Sequence, residues 1–307
     1  MSEPITKAGV SRRGFAMGIM VLGSVVISFA GVLVRNIEDA DPWQINFYRA
    51  AALVAATLLI LLIQYRGETI TRIRRVGWPG IWGGMLLSVA GIAYLQSITN
   101  TTVANTLFML SAIPFFTALL AWLIMKERLQ RETLITMLVA AAGVSVMLTD
   151  GFGVGSMYGN LMGVVTALGF SGFAVIVRKY RDVDMMPTLV ISSAIILVVS
   201  FLARYDDLDI PVNDIVLCFI WGAILSGLAN WIFIVASRYL IAAEVTLFMM
   251  LEFSLGPIWV WLFVAEVPSH LTIVGGAMVI SAVACRSVAQ LVVARKHRVP
   301  VDPAPPL

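Results

Sequence analysis

Long apolar segments alternate along the whole chain with short polar connections. Each segment is roughly 20 residues long, which is the length a helix needs to cross the hydrocarbon core of a bilayer. The short connections leave no room for a separate soluble domain. The pattern predicts ten helices, with approximate extents 14–34, 43–64, 78–98, 103–125, 132–149, 158–177, 187–203, 215–236, 243–264 and 270–293.

The overall composition agrees with a chain that lies within a lipid bilayer. Of its 307 residues, 60% are hydrophobic and only 13% are charged, whereas soluble domains average about 45–50% apolar and about 25% charged residues. The predicted fold class is therefore an all-α membrane protein of ten transmembrane helices. The net charge of +3 does not indicate a nucleic-acid partner, because the basic residues lie in connections beside apolar segments.

The basic residues are distributed unequally between alternate connections. When the ten segments are threaded back and forth through a membrane, 18 of the 21 Lys and Arg residues fall on the side that holds both termini. Cytoplasmic loops carry such an excess of positive charge. We therefore predict a multi-pass protein of the bacterial inner membrane, with cytoplasmic N- and C-termini.

Three short sequence motifs recur after about half the length of the chain. VRNIEDAD (34–41) resembles VRKYRDVD (177–184), TLFML (106–110) matches TLFMM (246–250), and the dipeptide WG at 82–83 recurs at 221–222. The offset spans five predicted helices, and an odd number of crossings turns the second copy upside down. The expected organisation is a first repeat (1–149), an outside loop (150–157), an inverted second repeat (158–293) and a disordered cytoplasmic tail (294–307).

Two prolines are predicted to interrupt the fourth and ninth segments. Pro114 and Pro257 each lack the amide hydrogen that would bond a carbonyl one turn earlier. Irregular backbone at membrane depth is tolerated where protein or a water-filled cavity satisfies it. Corresponding breaks in both halves favour a binding site there, and a plain structural kink is the alternative.

Glu252 is the most unusual single residue, because it lies near the middle of the ninth segment with no Lys or Arg within a turn. Burying an ionised carboxylate at that depth costs roughly a few kcal/mol or more. We expect Glu252 to face a cavity, where it binds a substrate ammonium or carries a proton. A neutral glutamate that is hydrogen-bonded between helices is the alternative.

Further candidate substrate-binding residues follow from helical spacing around Glu252 and from the equivalent segments of the other half. Packing or anchoring at the membrane interface is the alternative role for most of them. Arg49 could bind a substrate carboxylate, or it could extend outward to Glu38 or Asp41. The candidates are Met249, Phe248, Asn105, Met109, Phe108, Tyr94, Trp82, Asn230, Trp221 and Arg49.

Enzyme chemistry is not indicated by the sequence. It contains no nucleophile–base set, paired carboxylates or metal-ligand spacing, so we expect no enzyme, no cofactor and no metal. Cys218 and Cys285 both lie in apolar segments, and we predict that both are core residues and form no disulfide.

Three segments carry a resemblance to a known family that extends over nearly the whole chain. FYRAAALVAATLLILL (47–62), TLFMLSAIPFFTALLAWLIMKERL (106–129) and SRYLIAAEVTLFMMLEF (237–253) resemble the EamA type of the drug/metabolite transporter superfamily. Within it the chain is most similar to the bacterial exporters of aromatic amino acids. One departure is that Pro257 lies three residues beyond the position that matches Pro114.

The resemblance implies a carrier that exports small metabolites, most of all amino acids with apolar or aromatic side chains. It implies one central site between the halves, opened alternately to each face of the membrane. A broad exporter of drugs or of purine- or nucleoside-like metabolites is one alternative, because Met-rich cavities accept varied shapes. A membrane scaffold or channel is another. The expected assembly is a monomer or a weak homodimer.

Overall fold

Every regular element of the computed structural model is a helix within the described residues, which are 7–65, 69–101, 103–127, 129–147, 156–264 and 270–296. Most of the predicted loop between the repeats, and the predicted disordered tail after residue 296, lie outside these ranges. The helices are α1 (Lys7–Ser28), α2 (Ala30–Arg35), α3 (Pro42–Tyr65), α4 (Thr69–Arg75), α5 (Gly77–Asn100), α6 (Val103–Leu110), α7 (Ile113–Met125), α8 (Arg131–Met147), α9 (Met157–Lys179), α10 (Pro187–Ala203), α11 (Val212–Phe219), a π-helical turn (Ile220–Ser226), α12 (Gly227–Ala236), α13 (Ala242–Val264) and α14 (His270–Lys296).

A helix, or a run of consecutive helices, lies over each of the ten predicted segments. Within the described residues, seven helical stretches are long and apolar enough to cross a membrane. The other three positions are held by α8 and α10, with 17 residues each, and by α14, whose apolar part is Ile273–Arg286. The all-helical class is confirmed, and ten crossings remain a prediction.

Three of the long helical stretches are interrupted near their middle. The stretch α1–α2 is broken at Phe29, and α6–α7 is broken at Ser111 and Ala112. The amide of Ser111 there bonds the carbonyl oxygens of both Leu107 and Phe108, at 2.9 and 3.1 Å. The third interruption is the π-helical turn between α11 and α12, a type of irregularity that is frequent at functional sites.

The two prolines that were predicted to break helices behave differently. Pro114 lies in the first turn of α7, where its missing amide hydrogen costs no helical bond. Pro257, in contrast, lies inside α13, which runs without a break from Ala242 to Val264. The predicted interruption at Pro257 is therefore wrong, since a proline deletes only one backbone bond and membrane helices tolerate that loss.

Contacts between helices occur in matching sets from the two halves of the chain. The helix α1 packs against α12 and α13, while α9 packs against α5, α6 and α7. The helix α3 contacts α10, and α8 contacts α14. The helices α5 and α9 approach closely at Gly169, where a Cβ would lie only 2.9 Å from the carbonyl oxygen of Leu86.

The two cysteines have different surroundings. Cys218 on α11 is completely buried and packs in a core with Trp221 and Leu95. Cys285 is exposed on α14, so its assignment to the core is wrong. An apolar segment that crosses a membrane keeps one face outside the protein, and sequence alone does not say which face.

Candidate functional site

A central cavity of about 200 Å³ lies between the helices of the two halves. The first half contributes walls from α1, α2, α3, α5, α6 and α7, and the second contributes α9, α10, the π-helical turn, α12 and α13. All three interrupted stretches reach the cavity, through Ala30, Leu110 and Trp221 among others. Irregular backbone within the helix bundle is thus concentrated around one internal space, as expected for a binding site.

Glu252 projects into this cavity from the middle of α13. It lies ten residues from Ala242 and twelve from Val264, which places it about 15–18 Å from either end of the helix at 1.5 Å per residue. The side chain is partly buried, and it forms no hydrogen bond or ion pair with any residue in the described part of the chain. The carboxyl group is therefore open to a partner that enters the cavity.

Arg49 enters the same cavity from the first half of the chain. Its position seven residues into α3 places it about 10 Å below the start of that helix. Its Nη2 donates to Asn46 Oδ1 at 3.1 Å, and its guanidinium lies 4.8 Å from the centre of the Trp221 ring. A cation over an indole face is stabilised by the quadrupole of the ring, which holds Arg49 in the cavity.

The outward alternative for Arg49 is not realised in the structure. Asp41 instead forms an ion pair with Arg204, at 2.6 Å between Oδ2 and Nη2. Neither Glu38 nor Asp41 pairs with Arg49, although all three residues are described. Among the described residues the guanidinium of Arg49 forms a hydrogen bond with Asn46 and no ion pair, so it retains capacity to bind an anion.

The π-helical turn sets the position of Trp221 beneath Arg49. The next residue, Gly222, packs so closely on α3 that an added Cβ would overlap the carbonyl oxygen of Arg49. Only glycine permits this approach of two backbones. On the following turn, Asn230 donates from Nδ2 to the carbonyl oxygen of Ser226 at 2.9 Å, which satisfies a carbonyl at the end of the π-helical turn.

Tyr94 on α5 completes the polar part of the cavity. It lines the cavity, and its hydroxyl is within electrostatic range of both Glu252 and Arg49. The hydroxyl of Ser24 is already committed, because it bonds the carbonyl oxygens of Met20 and Phe248 at 3.0 and 2.9 Å. Much of the remaining wall is apolar, with Leu53, Phe170, Met249, Met250 and Phe253 among its residues.

The structure brings seven of the predicted residues to the cavity. These are Glu252, Met249, Tyr94, Asn230, Trp221, Arg49 and Pro114. The side chains of two others, Asn105 and Pro257, lie outside the described part of the structure. These seven residues come from five helical stretches and therefore converge on one space of the bundle.

Four predicted residues lie elsewhere. Phe248 is 4% exposed and packs in the main core, because the cavity face of α13 passes through Met249 and Glu252. Phe108 packs against the same core, and the side chain of Met109 packs against α9 at Gly163. Trp82 is 55% exposed on the surface of α5.

Sequence reasoning missed two parts of the cavity wall. The break at Ser111 and Ala112 changes which face of the fourth stretch points inward, so Leu110 and Ile113 reach the cavity and Phe108 does not. The π-helical turn that brings Ser226 to the wall has no clear signal in the segment IWGAILS, which contains no proline. Gly222 of this segment belongs to the WG dipeptide that recurs in the two halves, and this recurrence is the one sequence signal for the turn.

The fold and the cavity together define a class of protein: a multi-span helical membrane protein with a central cavity that carries groups of opposite charge. The family model described as the EamA-like transporter family matches residues 14–149. The first half of the chain therefore carries an EamA-like domain.

Characterised relatives match over most of the chain. The pseudopaline exporter CntI of Pseudomonas aeruginosa, found in two strains, is 26% identical over 87% of this chain and 93% of its own length. An uncharacterized transporter of Helicobacter pylori is 26% identical over 44% of this chain and 45% of its own length. A crystal structure superposes with a TM-score of 0.74 at 17% identity, covering 94% of this chain and 99% of that chain, which shows a shared fold.

Proposed function

We propose that the protein is an EamA-type exporter of the bacterial inner membrane that carries small zwitterionic metabolites. Amino acids with apolar or aromatic side chains are the proposed substrates, and alternating access at the central cavity is the proposed mechanism. The EamA-like match of residues 14–149 and the exporter relatives support the class of protein. The substrate class is supported by the chemistry of the cavity.

The observation that carries the proposal is that an arginine and a glutamate share one largely apolar cavity. Arg49 comes from the first half and Glu252 from the second, and neither forms an ion pair with a described residue. Charged groups at membrane depth are costly and are retained where they meet a substrate or an ion. A substrate with one carboxylate and one ammonium complements both groups without adding net charge.

Each cavity residue then has a definite proposed role. The guanidinium of Arg49 binds the substrate carboxylate through two parallel hydrogen bonds. The carboxylate of Glu252 accepts from the substrate ammonium, and the Tyr94 hydroxyl bonds whichever polar group lies between them. Met249, Trp221 and neighbouring apolar residues enclose the substrate side chain, for which flexible thioethers and flat rings are well suited.

The size of the cavity supports a small substrate over a drug. Its volume of about 200 Å³ is below the roughly 300–1,000 Å³ of pockets for drug-sized ligands. The broad exporter of drugs or purine-like metabolites is accordingly the less favoured alternative.

Ten crossings in two inverted five-helix repeats are part of the proposal. The matching contacts between the halves support them: the first helix of the first half, α1, packs against α12 and α13, and the first helix of the second half, α9, packs against α5, α6 and α7. A site at mid-depth between inverted repeats can be opened to each side by rocking one half against the other. We further propose that both termini are cytoplasmic, as the distribution of basic residues favours.

Counterflow into proteoliposomes tests the proposed function. Vesicles that contain the purified protein and unlabelled phenylalanine should accumulate labelled phenylalanine transiently and with saturation. Vesicles with the Glu252→Gln variant should accumulate it much more slowly, whereas the exposed Glu38→Gln control should behave as the wild type. Absence of counterflow with every amino acid would refute the substrate class, and flux without saturation would indicate a channel.

Pseudopaline is a second candidate substrate because exporters named for it match 87% of this chain. The same vesicles loaded with pseudopaline distinguish the two candidates. Exchange of pseudopaline without exchange of amino acids would assign the protein to that substrate.

A further inference from the structure

The helices α3 and α10 run antiparallel and are tied together at both ends. Asp41, immediately before α3, pairs with Arg204, immediately after α10, at 2.6 Å between Oδ2 and Nη2. At the opposite end the hydroxyl of Tyr65, the last residue of α3, donates to Asp184 Oδ2 at 2.5 Å, three residues before α10. The two ties are about 36 Å apart along the 24 residues of α3.

We name these ties the Asp41 latch (Asp41 with Arg204) and the Asp184 latch (Asp184 with Tyr65). Each aspartate uses its other oxygen on its own helix. Asp41 Oδ1 accepts from the amides of Trp43 and Gln44 at 2.7 and 3.0 Å, and Asp184 Oδ1 accepts from the amide of Met186 at 3.2 Å. Asp41 therefore bonds amides in the first turn of α3, Asp184 bonds the amide of the residue before α10, and each aspartate also contacts the end of the other helix.

The sequence words that recur in the two halves explain why the latches are alike. Asp41 is the last residue of VRNIEDAD and Asp184 is the last residue of VRKYRDVD. Equivalent residues thus make equivalent links at opposite ends of the same helix pair.

The surroundings of the two latches differ. Beside the Asp41 latch, Tyr48 and Gln44 donate to the carbonyl oxygens of Leu208 and Asp207, at 2.8 and 3.1 Å. Beside the Asp184 latch, Arg238 approaches Asp184 Oδ1 at 3.7 Å, and Tyr65, Asp184 and Arg238 line a second cavity of about 370 Å³. The Asp184 latch therefore forms part of the wall of a polar vestibule, which is where a gate would lie.

We propose that the two latches are the opposing gates of the transport cycle. The Asp41 latch breaks when the central cavity opens to the Asp41 face, and the Asp184 latch breaks when it opens to the Asp184 face. The proposal rests on the proposed function, because alternating access is what separates one end of the helix pair at a time. Loss of one latch then favours opening at that face and disfavours opening at the other.

The variants Arg204→Gln and Tyr65→Phe each remove one latch. Both leave the hydrogen bonds from backbone amides to Asp41 and Asp184 in place. The readout is the rate at which a membrane-impermeant maleimide labels a single cysteine in the cavity, Ala229→Cys, with Cys218 and Cys285 replaced by alanine. Reagent is supplied to one face in spheroplasts and to the other in inside-out vesicles. The control is Tyr205→Phe, since Tyr205 is next to Arg204 and 71% exposed.

Arg204→Gln should accelerate labelling from the Asp41 face about two- to fivefold and slow it from the Asp184 face, which is the range expected for partly exposed polar links. Tyr65→Phe should do the reverse, and the double variant should return close to the starting rates. Asp41→Asn should reproduce Arg204→Gln, because asparagine binds the first-turn amides of α3 about as well as aspartate and carries no charge for Arg204.

The proposal would be overturned if both single variants shifted the labelling rates in the same direction, or if neither changed them. The latches would then be static links between α3 and α10. Labelling requires no substrate, so it remains informative if amino-acid counterflow fails. Conversely, if amino-acid counterflow is observed but the two single variants do not shift the labelling rates in opposite directions, the gating role of the latches is refuted and the proposed function is not.

Discussion

The fourth and ninth helical stretches share a nearly identical five-residue motif and have different structures. TLFML at 106–110 ends at a break, and α7 begins at Ile113. TLFMM at 246–250 continues without interruption through α13. At an offset of 140 residues, Glu252 corresponds to Ala112, which lies in the break itself.

The repeated WG dipeptide shows the same divergence. Trp221 is 2% exposed and lies in the cavity under Arg49, whereas Trp82 is 55% exposed on the surface of α5. Equivalent sequence motifs therefore have different surroundings in the two halves. The residues that differ between the halves, such as Glu252 and Ala112, give the cavity its polar groups.

The largest expected effect comes from removing the acid that only the second half carries. Glu252→Gln should lower kcat/KM for a zwitterionic amino acid by about thirtyfold or more, since breaking a desolvated charge pair costs about 2 kcal/mol or more. Initial rates of transport into proteoliposomes measure it. Ala112→Ser, at the matching position of the first half, is the control and should retain most of the activity.

The two glycines of the WG dipeptides should differ in their tolerance of a methyl group. Gly222→Ala forces overlap with the backbone of Arg49, which cannot rotate away, and should destabilise the protein by about 1–3 kcal/mol. Gly83→Ala meets only side chains, of which Thr188 Cγ2 is nearest at 3.1 Å, and should cost less. Thermal unfolding in detergent compares them, and equal losses would contradict the close approach at Gly222.

Arg49→Lys should separate charge from geometry at the other charged group. Lysine keeps the positive charge but loses the planar fork and the stacking on Trp221. We expect an increase of about fivefold in the KM for amino acids, which corresponds to roughly 1 kcal/mol. Arg181→Lys, at an exposed position, should leave KM unchanged.

The smallest expected effect distinguishes the two tryptophans. Trp221→Phe retains a ring beneath Arg49 with a weaker quadrupole and should raise KM by about two- to threefold. Trp82→Phe should have no measurable effect on transport. A larger effect at Trp82 would show that the exposed surface of α5 takes part in transport.

The positions of the helices could be predicted because apolar length alone specifies them. The position of Glu252 at a cavity could also be predicted, and that of Arg49 as one of two alternatives, since a charged group within such a segment needs a compensating environment. The helix breaks could not be predicted, because a proline occurs in both the fourth and the ninth apolar segment, but Pro114 begins a helix and Pro257 lies inside one. The inward face was likewise ambiguous for Phe248 and Trp82, because both faces of a membrane helix are apolar.

The most direct test of the central claim is a cycle of two variants and two substrate analogues. Inhibition of phenylalanine counterflow is measured with phenylethylamine, which lacks the carboxylate, and with phenylpropionate, which lacks the ammonium. The wild type should bind both more weakly than phenylalanine by about tenfold or more. Arg49→Gln should erase the preference for the carboxylate alone, and Glu252→Gln the preference for the ammonium alone. If both variants weaken all three ligands equally, Arg49 and Glu252 do not recognise the two ends of a zwitterion.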